Sequence, residues 1–309
     1  MTKDRWGVPV TLGEGRILHP GPLRWLRALG WMVVLFFIVA VPAYSLLGGV
    51  DLVLPKVGWA HVLASCVGAA TCIGLYVLLV WGGEDRLPSE LSAGAAPVGL
   101  ATGLLIGLLM FSAVMGLMAL LGLYDIVWKG PASAWQAVGD SISSGVMEET
   151  LSRAVMLRLI WRAFGRRFGP WIALALSAAA FGALHLGNPH SSQFAAVCIA
   201  VEAGVMLAAF YALTGRLWVS IGVHAGWNFT QGWIFGAAVS GTDFGPALMT
   251  STARPGAVSW TTGGGFGPEA SAPALFVGTL VGVVVIWLAW KAGRFSRTGP
   301  TPAQAEAVG

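Results

Sequence analysis

Apolar residues run along this chain in long blocks separated by short polar, glycine- and proline-bearing breaks. A helix needs about 20 residues to cross a bilayer. Eight blocks reach or approach that length, at 25–48, 58–82, 98–123, 135–160, 170–187, 194–214, 217–239 and 273–291. The fifth is short, and only Thr214-Gly215-Arg216 separates the sixth from the seventh. The pattern predicts an all-α polytopic membrane protein of about eight transmembrane helices, with any site in the helical core. Residues 1–24 read as an N-terminal arm, 25–293 as the membrane domain and 294–309 as a flexible tail. The longest connection, 241–272, is rich in Gly, Pro, Ser and Thr. It reads as a mobile surface loop, with a lid over a site as the alternative. Neither an internal repeat nor a separate soluble domain is visible.

Composition agrees. Of 309 residues, 56% are hydrophobic and 10% charged, whereas soluble domains carry about 25% charged residues. Mean hydropathy is +0.74. Fifteen tryptophans suit membrane interfaces, and 43 glycines suit close helix approach. The net charge of +4 lies in short segments rather than one basic run, so it is no signal for nucleic acid. Lys3, Arg5, Arg16, Arg24 and Arg27 precede the first block. Arg158, Arg162, Arg166 and Arg167 follow the fourth, Arg216 the sixth, and Lys291, Arg294 and Arg297 the eighth. The alternate connections hold only Lys56, Lys129 and Arg254. Eight spans put all the arginine-rich segments on one side, which the positive-inside rule makes cytoplasmic, with both termini. The 83–90 connection is acidic, but acids count little in this rule. Cys66, Cys72 and Cys198 lie in apolar blocks without a CxxC spacing and read as small hydrophobes. Residues 1–23 lack the apolar core of a cleavable signal, and the C-terminus ends in Ala-Val-Gly without a lipidation box.

Against this background the fourth block stands out, because it contains Glu148, Glu149 and Arg153. Each ionisable group costs roughly 2.5–3.5 kcal/mol at the centre of an inserted helix, so three are retained only if paired, hydrated or functional. Glu149 and Arg153 are four apart and can pair on one face, acid first. Glu148 is rotated by about 100° and points elsewhere, as a general base would. An interhelical salt bridge using all three groups is the alternative. His185 closes the fifth block after Phe181-Gly182-Ala183-Leu184, and His224 and Asn228 lie four apart in the seventh. Such a His/Asn pair can aim two donors at one developing oxyanion. By simple counting His185 is nearer the outer face and His224 the inner, so they meet Glu148 only if helices are tilted, broken or short.

Glu148-Glu149-x-x-x-Arg153, Phe181-x-x-x-His185 and His224-x-x-x-Asn228, in that order, resemble the three motifs of the CAAX protease and bacteriocin-processing family of intramembrane glutamic endopeptidases. The resemblance covers about residues 140–240 and includes Thr214-Gly215-Arg216-Leu217-Trp218, familiar from bacterial members. Ala154 departs from the glycine that many members carry after the arginine. The resemblance implies that Glu148 and His185 activate an attacking water and that His224 and Asn228 stabilise the oxyanion. It also implies that Glu149 and Arg153 hold the first glutamate.

No cofactor is required on this reading. Zinc held by Glu148, His185 and His224 is the alternative, although no His-Glu-x-x-His helix is present. The expected partners are the lipid bilayer and a membrane-associated polypeptide, lipidated or not. The expected location is a bacterial plasma (inner) membrane. A transporter and a non-catalytic immunity or assembly factor are the rival functions; a transporter predicts paired repeats, which the chain lacks. Glu202, also within a block, either lines a hydrated path or hydrogen-bonds to a neighbouring helix, the simpler reading. His19 and His61 read as interfacial, and Asn188 and His190 as solvated.

Overall fold

The computed structural model describes residues 7–55 and 58–295. Lys3, Arg5, Lys56, Arg297 and the tail from 296 onward therefore lie outside the described residues. The chain is helical almost throughout. Helices α1 (Arg24–Val53), α2 (Gly58–Glu84) and α3 (Ala96–Leu120) are followed by α4 (Trp135–Ser143), α5 (Arg158–Leu184) and α6 (Gln193–Cys198). Then come α7 (Met206–Thr214), α8 (Leu217–Phe229), the short α9 (Ser259–Thr262) and α10 (Ala272–Lys291). Among the described residues six helical stretches are long and apolar enough to cross a membrane. Val33, Phe37, Leu105, Leu109, Leu280 and Val283 are exposed on their outer faces. In a bilayer these side chains meet lipid, so the protein is an all-α polytopic membrane protein.

One of the six stretches, Trp135–Gly187, has 53 residues. At 1.5 Å per residue it would be about 80 Å long, far beyond one hydrocarbon core. Gly165 breaks it, with φ 73° and ψ −177°, a conformation open essentially only to glycine. The returning limb of α5 packs against the residues just before it. Within the first limb the α-helical ladder is replaced by π-helical turns at Ser144–Glu148 and Thr150–Leu157. Further π turns occupy Ile199–Val205, between α6 and α7, and Thr230–Ile234, after α8. Such turns are rare and concentrate at functional sites.

Close helix packing places α8. Gly99, Gly103 and Gly107 of α3 face Trp218, Gly222 and Gly226 of α8, where an added Cβ would stand 2.8 Å from the Gly222 Cα at Gly103 and 2.6 Å from the Trp227 nitrogen at Gly107. This small-xxx-small stripe lets the two backbones touch and turns the opposite face of α8 toward α4. On that side a Cβ added at Gly145 would stand 3.1 Å from the Ala225 Cβ.

The arginine-rich end is tied by buried charge rather than by interfacial loops. Arg158, expected as a connecting-loop charge, is fully buried and donates from both terminal nitrogens to Glu84 at 2.8 and 2.6 Å. Arg162 is also buried and donates to the carbonyls of Gly13 and Leu18 at 2.9 and 2.7 Å. Glu90 receives both terminal nitrogens of Arg86 at 2.9 Å and the Tyr76 hydroxyl. Burial alone would raise the Glu90 carboxyl, but Arg86 and the nearby Arg158 hold it below the usual carboxylate range.

The 241–272 connection departs from the expectation of a mobile surface loop. Strand β2 (Met249–Ala253) pairs antiparallel with β1 (Tyr124–Trp128), a ribbon that the hydrophobic pattern did not announce. Phe244, Phe266 and Glu269 are buried, and Gly241 donates to the Phe266 carbonyl at 2.7 Å. The segment is a folded cap packed on the helical core.

Gly222→Leu should destabilise the protein by about 1–3 kcal/mol or more, because its side chain enters space held by the Leu100 carbonyl and Gly103. Gly116→Leu, on α3 but facing open space, should leave the thermal unfolding midpoint in detergent nearly unchanged.

Candidate active site

The π-helical limb after α4 brings Glu148 and Glu149 into the core with different surroundings. Glu149 is fully buried. It accepts from Arg153 Nε at 2.9 Å and Nη2 at 3.3 Å, and its Oε1 lies 3.1 Å from His224 Nδ1. Arg153 is fully buried too, with its guanidinium carbon 4.9 Å from the centre of the Phe181 ring. Glu148 forms no such pair. Its side chain keeps 28% of its surface, and its Oε2 lies 4.0 Å from both His185 Nε2 and His224 Nε2.

Hydrogen-bond chemistry then fixes the orientation of both imidazoles. His185 Nδ1 lies 2.8 Å from the Phe181 carbonyl oxygen, which only accepts, so this nitrogen carries the hydrogen. His224 Nδ1 faces a carboxylate already engaged by arginine, so it too is the donor. Each ring thus turns Nε2 toward the same oxygen of Glu148. Phe181 organises the group, with its ring centre 4.8 Å from that of His185 and 6.1 Å from that of His224.

The depth problem posed by residue counting is resolved by broken helices. His185 caps α5 directly after its last residue, and His224 lies midway along the short α8. The π turns around Glu148 carry its carboxylate between them. Asn228 lies one turn beyond His224 and donates from Nδ2 to Ser144 Oγ at 3.0 Å. Ser144 in turn donates to the Asp140 carbonyl at 2.8 Å, and the Asp140 side chain meets His61 at 2.8 Å. Glu148, His185 and His224 therefore converge directly, while Asn228 is held on the α4 side through Ser144.

Two cavities meet at His185 and Phe181. An open cleft of about 440 Å³ contains Glu148, Tyr44, Ser152 and Asn188, and shares Phe36 and Leu184 with an apolar groove between α1 and α5. A smaller cavity of about 30 Å³ lies behind, reached by His224, Asn228, Glu202 and Glu269. Glu202 thus lines a cavity, and its Oε2 has no hydrogen-bond partner, unlike the helix contact expected of it. Sequence reasoning missed Glu269, although it is the only charged residue between Arg254 and Lys291. Among the described residues no three His, Cys, Asp or Glu side chains are placed to hold a metal ion.

Residues 130–230 match the family described as type II CAAX prenyl endopeptidase, Rce1-like. Over this stretch, about a third of the chain, the protein is similar to that family. The match contains Glu148, Glu149, Arg153, His185, His224 and Asn228, and ends before the 241–272 cap. No curated protein and no solved structure matches the chain. The similar stretch is set among helices long and apolar enough to cross a membrane, as in an integral membrane protein.

Arg153→Met should cost about 3–5 kcal/mol by leaving Glu149 buried without its arginine. Adding Glu149→Gln should recover much of that loss, read as the thermal unfolding midpoint of single and double variants in detergent.

Proposed function

We propose that the protein is an intramembrane endopeptidase in which Glu148 activates water against a peptide bond of a membrane-associated polypeptide. The observation that carries this is the contrast between the glutamates: Glu149 is consumed by Arg153 and His224, while Glu148 faces a cleft with two Nε2 atoms 4.0 Å from one of its oxygens. A carboxylate that is partly exposed, unpaired and flanked by imidazoles suits proton abstraction from water.

In the proposed step, the Glu148 carboxylate takes one proton from water as the water oxygen bonds to the peptide carbonyl carbon. The carbonyl π pair moves to oxygen, and that oxyanion accepts from His224 Nε2–H and from the Asn228 Nδ2–H not given to Ser144. Glu149 on Nδ1 balances the charge of His224 when both ring nitrogens carry hydrogen. As the C–N bond breaks, the proton on Glu148 passes to the leaving nitrogen, directly or through His185 Nε2. One water is consumed and no covalent enzyme intermediate forms. The donors on His224 and Asn228, both buried, are held in place before the charge develops.

The continuity of the Glu148 cleft with the α1–α5 groove favours a substrate that enters sideways from the bilayer. With the arginine-rich end cytoplasmic, the cleft runs from Glu148 toward Asn188 at the outer end of α5. That favours an exported or membrane-anchored peptide of a bacterial plasma membrane. No metal is invoked.

Glu148→Gln and His224→Ala should each lower cleavage of a membrane-reconstituted peptide by at least about 100-fold while the fold is retained. Wild-type activity should survive a chelator. Wild-type rates in either variant would sink the assignment, and loss to chelator with restoration by zinc would replace it with a metal mechanism.

A further inference from the structure

The small cavity behind the histidines is lined by two carboxylates that the reaction above does not use. Glu202, on the π turn between α6 and α7, is 1% exposed, and its Oε2 has no hydrogen-bond partner. Glu269, from the outer cap, is 2% exposed and accepts at Oε1 from the Ser240 backbone N–H and hydroxyl, each at 2.7 Å. Gly278 of α10 makes room for Glu202, since a Cβ there would stand 2.6 Å from the Glu202 Cβ. His185 and His224 line the same space.

Two carboxylates facing one small cavity cannot both ionise cheaply, because burial and like-charge repulsion act together. No lysine or arginine lines the cavity. The titratable groups around it are His185 from α5, His224 from α8, Glu269 from the cap and Cys198 beside Glu202 on its own helical run. Helix α7 carries no charged residue, and the single one in α10, Lys291, lies at its far end. Burial raises the Glu269 carboxyl, with Ser240 and His185 acting in the other direction. A volume of about 30 Å³ admits a water molecule.

We propose that this cavity is a proton-holding site, in which Glu202 and Glu269 share one proton through a water molecule between them. The single negative charge they retain then acts on the site that the cavity adjoins. Glu202 and Glu269 are thus positioning residues: they touch neither the peptide nor the attacking water.

Infrared spectra of lipid-reconstituted wild type, Glu202→Gln and Glu269→Gln test the pair without reference to activity. At neutral pH the wild type should show the C=O stretch of a protonated carboxylic acid that moves on H/D exchange, and both variants should lose or shift it. A wild type lacking that band, or a band untouched in either variant, overturns the proposal. The kinetic arm rests on the endopeptidase reading. Glu269→Gln removes the carboxylate beside His185, so the acid limb of the pH–rate profile should move to lower pH. Glu202→Gln leaves Glu269 singly charged and should move it to higher pH, each by about half a unit or more. Lower rates with unmoved limbs mean a structural role and overturn the proposal. If the wild type itself does not cleave, the endopeptidase reading fails, and the infrared bands decide the shared proton alone.

Discussion

The buried linkage Arg153–Glu149–His224 is the constraint on which the site depends. An arginine and a glutamate with no exposed surface cannot be left singly charged in a helical core, so each requires the other. Once joined, they present a fixed negative edge to His224 Nδ1. That contact decides which imidazole nitrogen carries hydrogen and leaves Nε2 facing Glu148. A neighbouring carboxylate, one residue away, is thereby excluded from pairing and remains available at the cleft. Removing the arginine would take away more than an ion pair, since the ring orientation of His224 depends on it.

The scaffold makes this linkage possible by departing from regular helix geometry. π-helical turns before and after Glu149 change the angular spacing of the side chains, yet the four-residue separation still lets Arg153 reach back to Glu149. The glycine stripe between α3 and α8 removes the side-chain layer on one side of α8 and lets its polar face reach α4. Ser144 then ties Asn228 to the same limb that carries Glu148. The geometry of the site is therefore a property of helix contacts, with no single loop responsible.

Much of this was legible in the sequence, for physical reasons. Transmembrane helices must satisfy their own backbone, so long apolar blocks translate into helices with little competition. The cost of charge in hydrocarbon singled out Glu148, Glu149 and Arg153, and spacing separated a tethered glutamate from a free one. The depth at which His185 and His224 meet was not legible, because it depends on the break at Gly165 and on π turns that hydrophobic periodicity does not mark. Nor was the burial of Arg158 and Arg162, since their carboxylate and carbonyl partners lie far away in sequence. Glu269 escaped for a related reason: it sits in a glycine-rich segment with no helical register, and only the folding of the cap brings it beneath His185.

The central claim is that water itself, activated by Glu148, attacks the peptide. A single-turnover cleavage in water enriched in oxygen-18, followed by mass spectrometry of product and enzyme, tests it most directly. The account predicts one heavy oxygen in the new C-terminal carboxylate and none in the enzyme. Heavy oxygen in the Glu148 side chain, or a peptide covalently attached there, would show that the carboxylate attacked the substrate and would contradict the account.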